Sequence, residues 1–195
     1  TLTIRNAQVT DIGAFAVVVS NFAGSATSRV ARLTVNVPVT FTTPPQNQTA
    51  KAGSRVLFDV AASGTPALFF QWRFNDTNIV GATFAILELN NAQTTDAGRY
   101  SVVVQNAAGS VESSAATLTI TQAPLITSLP ASQIVSLGQN ATLSVTATGT
   151  GSLGYQWRFK GAEINGATNP SLVIESAKLS DTGDYDVVVS NPVGT

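Results

Sequence analysis

Asp181, Asp184 and Asp186 fall within six residues and form the one acidic cluster of the chain, so any carboxylate chemistry would start there. Hard cations are the first candidates, since calcium takes six to eight oxygen ligands. Strand alternation, however, sets Asp184 and Asp186 on one outward face and leaves Asp181 in the preceding turn, an arrangement that reads as a solvated face. Acid–base work by a carboxylate pair is the other option, and 11 Asp and Glu are present. The chain holds no His and no Cys, which removes Ser-His-Asp and Cys-His nucleophiles and His-based metal sites. The reading is therefore a protein without catalytic, cofactor-binding or metal-ligating residues, and not an enzyme.

Asp181 is also the last of three equivalent aspartates. Asp11-Ile-Gly13-Ala-Phe15-Ala-Val17, Asp96-Ala-Gly98-Arg-Tyr100-Ser-Val102 and Asp181-Thr-Gly183-Asp-Tyr185-Asp-Val187 are copies of one phrase spaced 85 residues apart, each running on to Asn21, Asn106 or Asn191. Trp72 and Trp157, Gly53 and Gly138, and Leu87-x-Leu89 and Leu172-x-Ile174 keep the same spacing. A fixed period of this size means a tandem array of one domain type. Between the phrases lie short apolar/polar alternations, such as 56–62 and 141–147, separated by Gly, Pro, Asn and Asp clusters. No stretch carries a capped helical period, so the fold class is all-β. In this frame Asp96 and Asp181 occupy turns, where an Asp side chain accepts backbone N–H groups.

Asp-x-Gly-x-Tyr-x-Val followed by Asn-x-x-Gly, with an upstream Trp in Gln71-Trp72-Arg73 and Gln156-Trp157-Arg158, resembles the immunoglobulin superfamily, closest to its I-set type. The resemblance covers nearly the whole chain and implies tandem Greek-key β-sandwiches. In the middle copy it implies strand A near 39–43, B around 55–62, C around 69–74, E around 86–89, F at 98–105 and G at 110–120. Val60, Trp72, Leu87, Leu89, Tyr100 and Val102 then share one core. Tyr100 and Tyr185 match the tyrosine corner, whose hydroxyl Phe15 lacks. Where the family carries its inter-sheet disulfide, this chain has Val60 and Val102, and again Val145 and Val187. Such a bridge is worth roughly 2–5 kcal/mol in a small domain, and burying a valine contributes about 1.5–3 kcal/mol, so apolar packing is able to substitute for it.

By this register residues 1–37 are strands E, F and G of a first domain, 38–122 a complete domain, and 123–195 a domain lacking strand G. The expectation is a segment of a longer array; the alternative is an incomplete sandwich that takes a strand from another copy, with growth into a filament. Connections at 35–39 and 120–125 are short, contain proline and lack a Gly/Ser spacer, which predicts an extended rod with limited bending.

Charged residues make up 11% of the chain and the net charge is −1. Nucleic acid is disfavoured, because phosphate binding needs clustered Lys and Arg. No transmembrane run is present, so no membrane contact is assigned to this segment. A surface rich in Ala, Val, Thr and Asn, without thiols, is similar to the immunoglobulin-like repeats of large bacterial surface or secreted proteins. Phe69, Phe70, Phe74, Tyr155 and Phe159 around strand C offer a glycan- or protein-binding platform as one reading and core packing as the other. Three sequons occur at Asn47-Gln-Thr49, Asn75-Asp-Thr77 and Asn140-Ala-Thr142. The functional expectation is an extracellular or cell-surface structural or adhesive repeat segment: a stalk, adhesin spacer or filament component. Its partners are neighbouring immunoglobulin-like domains of the same chain and other copies in a filament. The alternatives are an adhesion module that binds a glycan or protein, and accessory domains of a large secreted enzyme.

Overall fold

A computed structural model describes all residues, Thr1–Thr195, and is built of strands with no α-helix. Its helical turns are three short 3-10 segments, Val9–Asp11, Thr94–Asp96 and Leu179–Asp181, at the repeat spacing. Two compact units are distinguished, Thr1–Gln48 with Leu57–Glu88 and Gly98–Thr117, and Thr49–Val56 with Leu89–Ala97 and Leu118–Thr195.

Alternation decides which runs become strands and which face each side chain takes. Ala116–Thr121 reads Ala-Thr-Leu-Thr-Ile-Thr; Ala116, Leu118 and Ile120 are buried, while Thr117 and Thr119 face out. Val56–Asp59 buries Val56 and Phe58 and exposes Leu57 and Asp59. Period-two burial of this kind is what one wet and one dry sheet face require.

In the middle copy one sheet runs in the order Thr77–Asn78, Phe69–Phe74, Gly98–Asn106, Ala116–Thr121, Gln48–Lys51, with Gly109–Glu112 also paired to Gly98–Asn106. The remaining strands pair as Val56–Asp59 with Ile86–Leu89 and Thr40–Thr43 with Ala61–Ser63. The last copy repeats the plan, with Gly154–Phe159 between Ala162–Glu163 and Tyr185–Ser190, and Ala141–Ser144 on Ser171–Ile174. In the first 37 residues Gly13–Phe15 pairs Ala31–Leu33, and Val18–Asn21 forms a hairpin with Gly24–Thr27.

Phe58, Trp72, Val102, Val104 and Leu118 are among the most completely buried side chains, and Val60, Leu87 and Tyr100 join them. Val102 lies directly opposite Trp72 in the ladder. The Trp72 indole N–H, which must find an acceptor once buried, donates to Phe84 O at 2.9 Å, and Trp157 donates to Asn169 O at 2.9 Å. Val145 and Trp157 are buried together in the last copy, with Val187 half-buried against them. Leu89, expected in the core, is only half-buried.

Two expected strands are each broken. Strand B divides at Val60, whose N–H bonds Ala85 O at 3.1 Å, because its first half pairs with Ile86–Leu89 and its second with Thr40–Thr43. Strand G divides between Glu112 and Ala116, where Ser113 N–H bonds Val102 O at 2.9 Å and Ser113 Oγ accepts Val102 N–H at 3.1 Å. No helix is long and apolar enough to cross a membrane.

Candidate functional site

The aspartate of each copy closes a turn. Asp11, Asp96 and Asp181 accept the backbone N–H of Gln8, Gln93 and Lys178 through Oδ2 at 2.7, 2.7 and 2.9 Å. Each is the third residue of its 3-10 segment and satisfies a donor that the short helix leaves orphaned.

The acidic cluster of the last copy disperses in the fold. Asp181 is held by its turn, Asp184 is exposed, and Asp186 is paired with Arg158, Nε at 2.6 Å and Nη2 at 3.0 Å. The hydrogen bonds from Arg158 hold the Asp186 carboxyl below the usual carboxylate range. The three carboxylates are not brought together as a cation cage. Arg73 makes the corresponding pair in the middle copy with another partner: its Nη1 reaches both Glu112 oxygens at 3.0 Å, and Ser101 Oγ donates to Glu112 Oε1 at 2.7 Å. The Ser101 hydroxyl first, then Arg73, draws the Glu112 carboxyl below its ordinary value.

The strand-C aromatics do not form one open face. Phe74 lies 5.0 Å from the Tyr100 ring and Phe159 4.6 Å from Tyr185. Tyr155 packs on the core that holds Trp157, and Phe70 is half-buried. Phe69 is 66% exposed, but Gly154 stands at its place in the last copy. The tyrosine corner is formed: Tyr185 Oη donates to Asp181 O at 2.9 Å, and burial followed by the Asp181 charge pushes its phenol pKa up. Tyr100 is buried and stacks on Phe58 at 4.8 Å. Close quarters at this corner demand glycine. A Cβ on Gly98 would meet Phe74 Cε2 at 2.5 Å, and one on Gly183 would meet Phe159 Cε2 at 2.8 Å.

The asparagine of the Asn-x-x-Gly phrase holds distant segments together. Asn106 is buried; its Nδ2 donates to Val37 O at 2.8 Å and Thr65 O at 3.1 Å, while Oδ1 accepts Ala108 N–H at 2.9 Å. Val37 N–H donates in turn to Thr65 Oγ1 at 2.7 Å. Eighty-five residues on, Asn191 donates to Gln122 O at 2.8 Å and Thr150 O at 3.0 Å, and Gln122 N–H donates to Thr150 Oγ1 at 2.8 Å. Each asparagine thus fastens the chain that leads into its copy to the loop after strand B. Recurrence of Asn-x-x-Gly and of Gly64-Thr65 and Gly149-Thr150 at the common spacing was the available signal.

Comparison with known proteins agrees with this geometry. The model of the immunoglobulin I-set domain matches residues 39–120, and that of an immunoglobulin domain matches 123–191. Leucine-rich repeats and immunoglobulin-like domains protein 3 of Mus musculus is 31% identical over 100% of this chain, which spans 19% of that protein. Muscle M-line assembly protein unc-89 of Caenorhabditis elegans is 35% identical over 99% of the chain, which spans 3% of it. Among solved structures, a variant of titin domains I67–I69 superposes with TM-score 0.79 over 95% of this chain and 72% of that one, at 23% identity, a likeness of fold. These curated relatives are animal proteins and lend no support to a bacterial source or to a filament.

Proposed function

Because the chain belongs to the immunoglobulin superfamily, as a tandem all-β array without the inter-sheet disulfide, we propose that it serves as a non-enzymatic structural repeat segment at the cell surface or outside the cell. It holds neighbouring domains at a set spacing as a stalk or adhesin spacer. The domains of this reading are 38–122 and 123–195, with 1–37 the end of a preceding one.

The observation that carries it is the repeated asparagine clamp. Asn106 and Asn191 fix residues 37 and 122, the chain between copies, through the same bonds to Thr65 and Thr150. A spacer needs each junction to start from an anchored backbone, and the buried side chains of Ser101, Asn106 and Ser113 are all engaged in bonds within the fold. The name of unc-89, a muscle M-line assembly protein, is in keeping with a structural role.

The absence of cysteine allows a clean test. Spin labels on Val80→Cys, in the first compact unit, and Leu179→Cys, in the second, both exposed positions, report one distance across the junction by pulsed electron resonance. A narrow distribution that broadens in Asn191→Ala is the expected outcome. A broad distribution in the parent chain, or no response to Asn191→Ala, refutes the spacer reading.

A further inference from the structure

Five asparagines of this chain sort into two kinds. Asn106 and Asn191 spend Nδ2 on two carbonyls each, and neither is followed by a hydroxyl residue two positions on. Asn47, Asn75 and Asn140 are the reverse. Each is exposed, and each uses only Oδ1, which accepts a backbone N–H from a distant part of the chain: Thr117 at 2.7 Å, Arg99 at 3.0 Å and Ser176 at 2.9 Å. Their Nδ2 groups make no hydrogen bond within the protein. Thr49, Thr77 and Thr142, two residues on, are all exposed.

From this we infer that Asn47, Asn75 and Asn140 are N-glycosylation sites. The inference rests on the outside-the-cell part of the proposed function. In the reaction a new bond forms between Nδ2 and the anomeric carbon of an oligosaccharide carried on a polyprenyl diphosphate. The anomeric C–O bond breaks, the diphosphate leaves with the electron pair, and one Nδ2 proton passes to a base of the transferase. The amide keeps its carbonyl, so the bonds to Thr117, Arg99 and Ser176 survive in the folded product. Had Nδ2 been the structural donor, as in Asn106, a sugar there would have cost the fold a buried hydrogen bond.

The places of the three asparagines in the fold agree with this. Asn75, at φ 44°, and Asp76, at φ 65°, form the turn between Phe69–Phe74 and Thr77–Asn78, and Asn47 and Asn140 precede the strands Gln48–Lys51 and Ala141–Ser144. A sugar on any of them leaves from a strand end and not from the middle of a ladder. The composition gives a reason for sugars. With 11% charged residues and a net charge of −1, a repeated surface lacks the like-charge repulsion that keeps copies apart, and glycans supply hydration in its place.

The test is peptide mapping of the chain purified from the cells that naturally make it, after treatment with a glycosyl-asparagine amidase in ¹⁸O-water. The amidase converts a glycosylated Asn to ¹⁸O-labelled Asp. Label at Asn47, Asn75 and Asn140, with none at Asn106 or Asn191, is the expected result. An unlabelled peptide at any one of the three strikes that site, and unlabelled peptides at all three overturn the inference. The spin-label distances are unaffected by that outcome, so the two readings fail separately.

Discussion

Replacing Val102 by aspartate tests the core that stands in for the missing bridge. Val102 is fully buried opposite Trp72, and Arg73, next to that tryptophan in the strand, is already engaged with Glu112. Loss of the valine burial costs about 1.5–3 kcal/mol, and an unpaired carboxylate in its place costs about 3–5 kcal/mol more. Together these reach about 5–8 kcal/mol. At about 0.05–0.15 kcal/mol per residue, a domain of this length is stable by only about 4–13 kcal/mol. Val102→Asp should therefore unfold the middle copy or leave it largely open. Val102→Ala, which removes two methyl groups at about 0.8 kcal/mol each and leaves a small cavity, should cost about 2–3 kcal/mol and stay folded. Thr117→Asp, outward on Ala116–Thr121, should cost no more than about 1 kcal/mol, the span of strand propensity. Hydrogen exchange read by mass spectrometry on the whole chain separates the copies, since peptides over Phe69–Phe74 and Gly98–Asn106 report the middle one and Gly154–Phe159 the last. Protection retained over 69–74 and 98–106 in Val102→Asp would refute the core assignment.

Two further outcomes follow from the tyrosine corner. Gly98→Ala should destabilise the middle copy by about 1–3 kcal/mol in denaturant melts, because the new methyl meets the Phe74 ring at 2.5 Å and that ring is packed against Tyr100; a neutral result would mean that the ring moves aside freely. Tyr185 has a raised phenol pKa, so its contribution is complete below the ordinary tyrosine value of 10.0 and is lost as pH rises through the higher folded value. Tyr185→Phe should cost about 0.5–1.5 kcal/mol at neutral pH through the lost bond to Asp181 O, and its melts should then lose less stability between neutral and strongly alkaline pH than those of the parent; equal alkaline losses would mean that Tyr185 does not sense the fold.

Strands that carry their own pattern were legible from the residues. The strands Phe69–Phe74 and Ile86–Leu89 fall where the resemblance implied strands C and E, around 69–74 and 86–89, and both carry bulky apolar side chains. Gln48–Lys51 and Thr77–Asn78 were missed. Of Gln-Thr-Ala-Lys only Thr49 favours a strand, and the segment is one because Ala116–Thr121 offers an edge to pair with. The breaks at Val60 and at Ser113 are of the same kind, since they occur where a strand changes partner, and partner choice is a long-range property. Phe58 was absent from the expected core although alternation from Val60 places it on the same inward face, together with Val56.

Functional residues were harder to read for a physical reason. A polar side chain in a turn looks the same in sequence whether it caps its own loop or reaches a segment far away. Asn106 does both: Oδ1 holds Ala108 two residues on, and Nδ2 holds Val37, 69 residues back. The first bond is implied by turn chemistry, but the second exists only once two strands and a loop converge. Repetition narrows the choice, because a purely local cap has no need of Gly64-Thr65 and Gly149-Thr150 at matching distance. The same logic sets Asn47, Asn75 and Asn140 apart from Asn106 and Asn191, since in those three one half of the amide is committed across the fold and the other half is unused. Such unused donors on the surface are where a partner chemistry has room to act.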